Sequence, residues 1–256
     1  MEPPEHSRGI AKTLHRTRGL VQDLIVTRKD GKVILWSAAG IRHTVFDTAS
    51  PHQPGLEYAR NVLTALAFCP EARSCLVLGL GGGSIPRMLI GASRQIEVEV
   101  VEIDPTVVEL AARFFDIRAL PRLTIHLEDA AAFLKCCTAQ YGIVIVDTYI
   151  GGQMPDQCTA RDFLKNAKRS LLDDGVLAVN WLNEDSQKRK NLQENLQSVF
   201  GQVWQLPCLK SRNLLYFAPA RKTTRQAVLS TAAAVQAQIP FENSLKRLAQ
   251  GLRNPR

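Results

Sequence analysis

The sequence predicts an α/β fold with a parallel sheet that carries helices on both faces, preceded by a short β region. Two observations support this fold class. From Ser74 onward, apolar strands alternate with helical segments, and a glycine-rich turn follows the first of these strands. Strands that alternate with helices are typical of parallel sheets covered on both faces. The length of 256 residues, 45% of them hydrophobic, suffices for one large domain or a domain with a small appendage.

The first 54 residues are expected to contain an N-terminal extension and short strands. Residues 1 to about 18 are polar, and we expect them to form a mobile lead-in. The segments VQDLIVT and KVILWS then predict two strands joined by a turn at Asp30-Gly31. A loop with two prolines and a glycine spans 50–55, and the apolar spacing after it predicts a helix over 56–68.

The remaining elements follow in alternation. The predicted strands are CLVLGL, IEVEVVEI, LTIHLED, YGIVIVD and VLAVNWL, the last one after a turn at Asp174-Gly175. The predicted helices are SIPRMLIGAS, PTVVELAARFF, AAFLKCCTAQ, TARDFLKNAKRSLL and SQKRKNLQENLQSVF. VWQLPC and NLLYFAP predict two final strands in a hairpin. Beyond residue 219, helical stretches over about 226–238 and 242–252 could cap the domain, mediate oligomers or be loosely ordered.

Charge and composition limit the partners and the compartment. The net charge is +8, and residues 207–256 hold nine Lys or Arg against one acid, Glu242. We interpret this as a solvated basic face. Nucleic acid could then bind only through this basic C-terminal tail. No apolar run is long enough for a membrane span, and the polar start lacks a signal-peptide pattern. Six cysteines without a C-x-x-C pair indicate reduced thiols, no metal site and a cytoplasmic protein.

The glycine-rich turn predicts a site for a nucleoside. Gly79, Gly81 and Gly83 lie between a buried strand and a helix, where glycines permit a tight turn and a close approach of the backbone to a ligand. Glu102, followed by Ile103, ends the next strand about 20 residues later. An acid at this place can accept hydrogen bonds from ribose hydroxyls.

Two further acids end the third and fourth strands. Asp129, followed by Ala130, could accept from an adenine amino group, cap the next helix, or do both. Asp147 ends the fourth strand and should face the same crevice as the glycine turn. It could take a proton from an attacking amine or hold the amine in line, and the alternative is an acid that binds loop amides.

Together these motifs resemble the spermidine synthase-like branch of class I S-adenosylmethionine-dependent transferases. The motifs are V-L-G-L-G-G-G-S, V-V-E-I-D-P, E-D-A, V-D-T-Y and G-V-L-A-V-N-W. Val77 stands where most methyltransferases have an acid, as it does in spermidine synthases. The similarity covers residues 20–219, including His43 and Tyr58 upstream of the glycine turn.

The resemblance implies a doubly wound, Rossmann-like sheet of the class I methyltransferase type. It divides the chain into an extension with a β region over 1–54, a transferase domain over 55–219 and a basic helical tail over 220–256. It also implies binding of S-adenosylmethionine or its decarboxylated form. By position, the residues that would bind this nucleoside are Gly79, Gly81, Gly83, Glu102, Ile103, Asp129 and Ala130. Asp147 would be the catalytic acid next to the reacting amine, and the residues of the substrate cleft would be His43, Tyr58 and Tyr149.

Three departures from the family pattern concern the substrate. Ser84 replaces an aspartate that contacts an ammonium group in spermidine synthases, Ile150 replaces the second acid of a D-x-x-D pattern, and His43 replaces a glutamine. A polyamine is a multiply charged cation, and its pocket should supply several carboxylates. The missing acids therefore favour methyl transfer over aminopropyl transfer from decarboxylated S-adenosylmethionine to putrescine.

The sequence leaves two other classes of function open. A scaffold that binds a nucleoside without catalysis would tolerate bulky residues in the glycine turn, and none is present. A nicotinamide-dependent dehydrogenase would share the turn but need a Lys, Tyr or His set at the strand ends. The acceptor is expected to be a small molecule or a protein, and a homodimer is compatible with the sequence.

Overall fold

A small antiparallel sheet forms the N-terminal region in the computed structural model, which describes residues 11–182 and 185–254. Its four strands pair in chain order: β1 (Lys12–Arg18), β2 (Asp23–Lys29), β3 (Lys32–Ser37) and β4 (Arg42–Asp47). Asp30 and Gly31 both have positive φ, 48° and 76°, as a two-residue hairpin turn requires. This confirms the predicted hairpin.

Strand β1 corrects the expectation of a mobile lead-in up to residue 18. Residues 12–18 pair with β2 along their length, although the sequence KTLHRTR is polar. The ordering comes from cross-strand pairing at a sheet edge, which a search for apolar periodicity does not detect. The chain after β1 is fixed as well, because the backbone N–H of Leu20 donates to Asp104 Oδ2 at 2.8 Å. Residues 1–10 lie outside the described residues.

The connection between the two sheets is helical, as predicted, but it is not one regular helix. It consists of α1 (Glu57–Asn61), a 3₁₀ turn over Val62–Thr64 and α2 (Ala65–Phe68). Most of the apolar side chains that predicted the helix are buried in the core, and Leu56 is partly buried against it. Its first turn carries Tyr58 towards the strand ends of the second sheet.

The second sheet has seven strands in the order β10-β11-β9-β8-β5-β6-β7. The strands are β5 (Ser74–Leu78), β6 (Glu97–Glu102), β7 (Leu123–Leu127), β8 (Tyr141–Val146), β9 (Leu171–Leu182), β10 (Trp204–Pro207) and β11 (Asn213–Pro219). Strands β5 to β9 are parallel, while β11 runs antiparallel to β9 and β10 antiparallel to β11. The final hairpin is therefore confirmed.

Strand β9 starts earlier than predicted. The sequence predicted a turn at Asp174-Gly175 before the strand, but the strand already begins at Leu171. The pairing with β8 is irregular there, between Tyr141 and Ile143. A Cβ on Gly175 would lie 3.0 Å from three backbone carbonyl oxygens, so the glycine serves this close approach within the sheet rather than a turn.

Helices cover both faces of the seven-stranded sheet. They are α3 (Ser84–Ala92), α4 (Pro105–Phe114), α5 (Ala130–Cys136), α6 (Arg161–Arg169) and α7 (Ser186–Phe200). One apolar core joins α3 and α4 to the inner face of the N-terminal sheet, and a second core lies under α5, α6 and α7. The fold is thus the predicted α/β arrangement with a doubly wound, mostly parallel sheet.

The C-terminal segment forms two ordered helices, α8 (Arg225–Gln238) and α9 (Leu245–Gln250). Val228, Ala232, Leu245 and Ala249 are at most 2% exposed and belong to the same core as α2. The helices therefore cap this core, the first of the three alternatives, and a role in oligomers stays a prediction. The boundaries proposed at residues 54 and 219 remain predictions. All six cysteines are free thiols, and no helix of the described ranges is long and apolar enough to cross a membrane.

Candidate active site

A cavity lies at the carboxyl ends of the parallel strands, between the seven-stranded sheet and the N-terminal sheet. Ligands of open α/β sheets bind at this edge. Strand ends supply most of its wall, and the N-terminal sheet covers it through Leu24, Leu35 and Thr44. The predicted site residues that line it are Gly79, Gly81, Glu102, Ile103, Asp129, Ala130, Asp147, His43, Tyr58 and Tyr149. The structure thus brings together all predicted site residues except Gly83.

At Gly79 and Gly81, only backbone atoms line the cavity. Gly79 has φ +100° and Gly81 has φ +53°, conformations that disfavour a side chain. A Cβ on Gly79 would collide with the backbone carbonyl oxygen of Asp147. Gly83, with φ +78°, is the residue that precedes α3, and a Cβ there would collide with Ile117. Gly83 therefore serves the packing of the turn against its neighbours and lies outside the cavity wall.

Glu102 connects the second strand to the glycine turn. Its side chain is 9% exposed and accepts hydrogen bonds from the backbone N–H groups of Leu80 at 2.9 Å and Asp104 at 3.0 Å. Burial raises the pKa of this carboxyl, and the backbone donors partly offset the rise. The two carboxylate oxygens retain lone pairs for a ligand, because a carboxylate accepts about four hydrogen bonds.

Asp129 performs one of the two roles that the sequence left open, the capping of the next helix, and its role towards adenine stays a prediction. Its Oδ1 accepts from the backbone N–H groups of Ala131 and Ala132, both at 2.9 Å, and so caps α5. Its Oδ2 accepts from Gln157 Nε2 at 2.9 Å at the cavity wall. Gln157 was missed by the sequence analysis, because no pattern in the loop after the fourth strand distinguishes it.

Asp147 lies at the end of β8 and is held by two neutral donors. Asn180 Nδ2 donates to Oδ1 at 2.7 Å, and the Tyr58 hydroxyl is 3.4 Å from Oδ2. Burial raises the pKa of Asp147 from 3.8 to about 7, although both hydrogen bonds act in the opposite direction. A carboxyl with a pKa near neutral pH exchanges protons at the working pH, as a general acid or base requires.

Asn180 is a second residue that the sequence analysis missed. Its side chain is 2% exposed in the middle of the sheet, and its Oδ1 accepts from Asn213 Nδ2 at 2.9 Å. A buried amide must find partners on both its oxygen and its nitrogen. The signal was an asparagine within the apolar strand VLAVNWL, which is a polar residue at a core position.

His43 and Tyr149 complete the wall beside Asp147. The Tyr149 hydroxyl donates to the Asn180 carbonyl at 2.6 Å and accepts from the Leu182 N–H at 2.7 Å, which fixes the ring against β9. Burial lowers the pKa of His43 to about 4, so its imidazole is neutral at pH 7. Its Nε2 has no hydrogen-bond partner among the described residues.

The carboxylates are unevenly distributed along the described cavity wall. Glu102, Glu128 and Asp129 lie on the β6 and β7 side, and Asp147 lies on the β8 side with Tyr58. Ser84 lines the cavity at the start of α3, while Ile150 is 39% exposed at the loop after β8. Within residues 11–182 and 185–254, no group of three His, Cys, Asp or Glu side chains could hold a metal ion.

Residues 60–210 match the family model of the spermine/spermidine synthase domain, and the chain belongs to this family. The chain is 28% identical over 205 residues to a polyamine aminopropyltransferase of Vibrio vulnificus, which covers 77% of this chain and 68% of that protein. It is 34% identical over 138 residues to an N-terminal histidine N-methyltransferase of Emericella nidulans, covering 51% of this chain and 24% of that protein. The family confirms the resemblance to the spermidine synthase-like transferases.

Solved structures of other proteins have the same fold. A probable spermidine synthase from Corynebacterium glutamicum superimposes with a TM-score of 0.73 at 19% identity, covering 90% of this chain and 95% of that one. Human methyltransferase-like protein 13 in complex with SAH gives a TM-score of 0.66 at 21% identity, covering 74% and 95%. The same fold therefore occurs in proteins named for either transfer reaction.

Proposed function

We propose that the chain transfers the aminopropyl group of decarboxylated S-adenosylmethionine to an amine, in the manner of a polyamine aminopropyltransferase. The observation that carries this proposal is Asp147, an acid with a pKa of about 7 between two neutral donors at the cavity wall. The missing acids favoured methyl transfer in the sequence analysis. The bacterial relatives named polyamine aminopropyltransferase support aminopropyl transfer over methyl transfer.

The other half of the cavity fits an S-adenosyl nucleoside. The backbone at Gly79 and Gly81 forms a cradle that side chains would disfavour, and the Glu102 carboxylate at its edge is fixed by backbone donors. A fixed carboxylate suits the two ribose hydroxyls, which are both donors. Asp129 and Ala130 at the end of β7 suit the amino edge of a purine. When bound, the nucleoside supplies an electrophilic carbon next to its sulfonium.

The chain's residues orient the amine and remove its proton. In the transfer, the amine lone pair forms a bond to the carbon, the carbon–sulfur bond breaks, and sulfur leaves as a neutral thioether. The nitrogen then carries an extra proton, which the Asp147 carboxylate accepts. Tyr58 and Asn180 keep that carboxylate in one orientation, and the N-terminal sheet limits the access of water. Holding the reactants in line contributes most of the rate enhancement in such a displacement.

Methyl transfer from S-adenosylmethionine is the second candidate, and Ser84 favours it. Ser84 and Ile85 begin α3 at the cavity wall, where unpaired backbone N–H groups and the helix dipole attract an anion. S-adenosylmethionine has a carboxylate for this place, and its decarboxylated form does not. Ser84, which lines the cavity, therefore distinguishes S-adenosylmethionine from its decarboxylated form.

The test is calorimetric titration of the protein with S-adenosylmethionine and, separately, with its decarboxylated form. Tighter binding of the decarboxylated form, together with conversion of putrescine to spermidine, supports the proposal. Tighter binding of the carboxylated form overturns it in favour of methyl transfer, and binding of neither overturns it in favour of a non-catalytic protein. Ser84→Asp should shift the preference further towards the decarboxylated form. Ser84→Ala is the matched control, because it removes the hydroxyl without adding charge.

A further inference from the structure

A second cavity of about 470 Å³ lies on the side of α1 opposite the active site. It is enclosed by α1, the connection between β10 and β11, and α9 with the residues that flank it. The two cavities share no lining residue: Tyr58 and Ala59 face the first, while Glu57, Arg60 and Asn61 face the second. The second cavity is of the size at which proteins bind small organic molecules.

The inner wall of this cavity is apolar. Leu63, Met88 and Leu206 are at most 4% exposed and form its floor together with Leu248. Phe241 contributes an aromatic side chain, whose ring stacks on His52 with 6.1 Å between ring centroids. A ligand that fills this space must therefore present an apolar, ring-sized body.

The rim carries four cations: Arg60, Lys210, Arg247 and Arg253. Among the described residues, none of the four forms an ion pair. The Arg60 guanidinium donates to the Pro54 carbonyl, and the Arg247 guanidinium has one weak contact, to Ser244 Oγ at 3.4 Å. Guanidinium groups are suited to bind phosphate and carboxylate groups through paired hydrogen bonds.

The acids of this cavity leave the positive charge of the rim in excess. The two oxygens of Glu57 accept from the backbone N–H groups of Leu209 at 2.9 Å and Lys210 at 2.6 Å, so this carboxylate serves to fix the loop. Glu242 is the other acid among the lining residues, and it is exposed. Four cations against two acids leave an excess of positive charge over an apolar floor.

We infer that this cavity binds an organic anion with a flat apolar body and a phosphate group, of the class of the aryl phosphates. The ring would fill the space over Leu63 and Met88, and the phosphate would lie at Arg247 and Arg253. The side chains of both arginines are exposed, so neither is needed for packing of the fold. The site is separate from the nucleoside cavity and does not depend on which group the enzyme transfers.

The experiment uses 1-naphthyl phosphate as probe, with 1-naphthol and inorganic phosphate as its two halves, in calorimetric titrations of the full chain. We expect 1-naphthyl phosphate to bind at least tenfold tighter than either half. The double variant Arg247→Gln, Arg253→Gln should weaken its binding at least tenfold, with an unchanged melting temperature. The matched control is Arg221→Gln, Lys222→Gln, two exposed cations outside this cavity, which should change binding less than twofold.

Three outcomes would overturn the inference. Equal binding of inorganic phosphate would show a charge effect without a pocket, and equal losses in the two double variants would show a diffuse effect of net charge. Competition between 1-naphthyl phosphate and saturating S-adenosyl nucleoside would place the probe in the active site instead. The variant Leu248→Asp, which adds an acid to the wall, provides an independent check and should also abolish binding of the probe.

Discussion

The side-chain amide of Asn180 donates a hydrogen bond to the Asp147 carboxylate over 2.7 Å, from β9 to the end of β8. The contact brings no positive charge to the carboxylate, because the donor is a neutral amide. Burial raises the pKa of Asp147 to about 7, and the neutral donors Asn180 and Tyr58 hold it below the value that burial alone would give. The proton affinity of the proposed base is therefore adjusted by hydrogen bonds.

Removing these donors should shift the pH dependence of turnover. Because both donors stabilise the carboxylate, Asn180→Ala should raise the pKa of Asp147 and move the rising limb of the kcat/KM profile upward by about one pH unit. Tyr58→Phe should move it less, since its contact is 3.4 Å rather than 2.7 Å. Asn213→Ala, which removes only the partner of Asn180, is the control with the smallest shift. Unchanged profiles in all three variants would show that Asp147 is not the group that titrates.

Replacing the acid itself separates chemistry from binding. Asp147→Asn should leave the affinity for the S-adenosyl nucleoside within a factor of two, while turnover falls by about 10²-fold or more, because a neutral amide accepts no proton. Calorimetry and initial rates measure the two effects. Asp162→Asn, an exposed acid paired with Lys165, serves as the control. Equal losses of affinity and turnover would assign Asp147 an architectural role.

The same carboxyl should make the stability of the fold depend on pH. Its pKa is raised from 3.8 to about 7, so the folded state retains a proton that the unfolded state releases. The stabilisation is complete below pH 3.8 and is lost as the pH rises through 7. We expect the free energy of unfolding of the wild type, relative to Asp147→Asn, to fall by on the order of 2–4 kcal/mol between pH 4 and pH 8. Denaturant titrations at several pH values measure it, and a constant difference would contradict the raised pKa.

Glu102 should determine the affinity for the nucleoside. Glu102→Ala removes the proposed ribose partner and leaves the backbone N–H groups of Leu80 and Asp104 without their acceptor. We expect a loss of about 1.5–3 kcal/mol in binding free energy, measured by calorimetry with S-adenosyl nucleosides. Glu99→Ala, on the same strand but bonded to His126, is the control and should bind normally. A loss in both variants would indicate a general effect on β6.

The glycine turn offers a paired test of backbone geometry. Gly79 and Gly151 both have positive φ, but a Cβ on Gly79 would collide with the Asp147 backbone, whereas a Cβ on Gly151 would have nothing within 4 Å. Gly79→Ala should therefore abolish nucleoside binding and lower the melting temperature much more than Gly151→Ala, which carries only the conformational cost of about 1 kcal/mol. Thermal unfolding with and without nucleoside compares them. Equal effects of the two substitutions would mean that the positive φ, and not the collision with Asp147, determines the loss.

The sequence predicted the elements and residues that depend on local pattern. Gly79, Glu102 and Asp147 each end a buried strand, and parallel strand ends meet at one edge, so their proximity followed from order along the chain. Asn180 and Gln157 act through partners far away in sequence, which periodicity does not reveal. Gly83 shared the glycine pattern but faces Ile117, because the turn has two sides and the sequence does not say which glycine faces the ligand.

Asp104, fully buried, makes the two sheets depend on each other. Its Oδ1 accepts from the Thr106 N–H at the start of α4, and its Oδ2 accepts from the Leu20 N–H between β1 and β2. Separating the sheets would remove the donors that Asp104 has in the N-terminal region and would open the shared apolar core at the same time. The N-terminal sheet and the seven-stranded sheet should consequently denature in one cooperative transition, as a single thermodynamic unit.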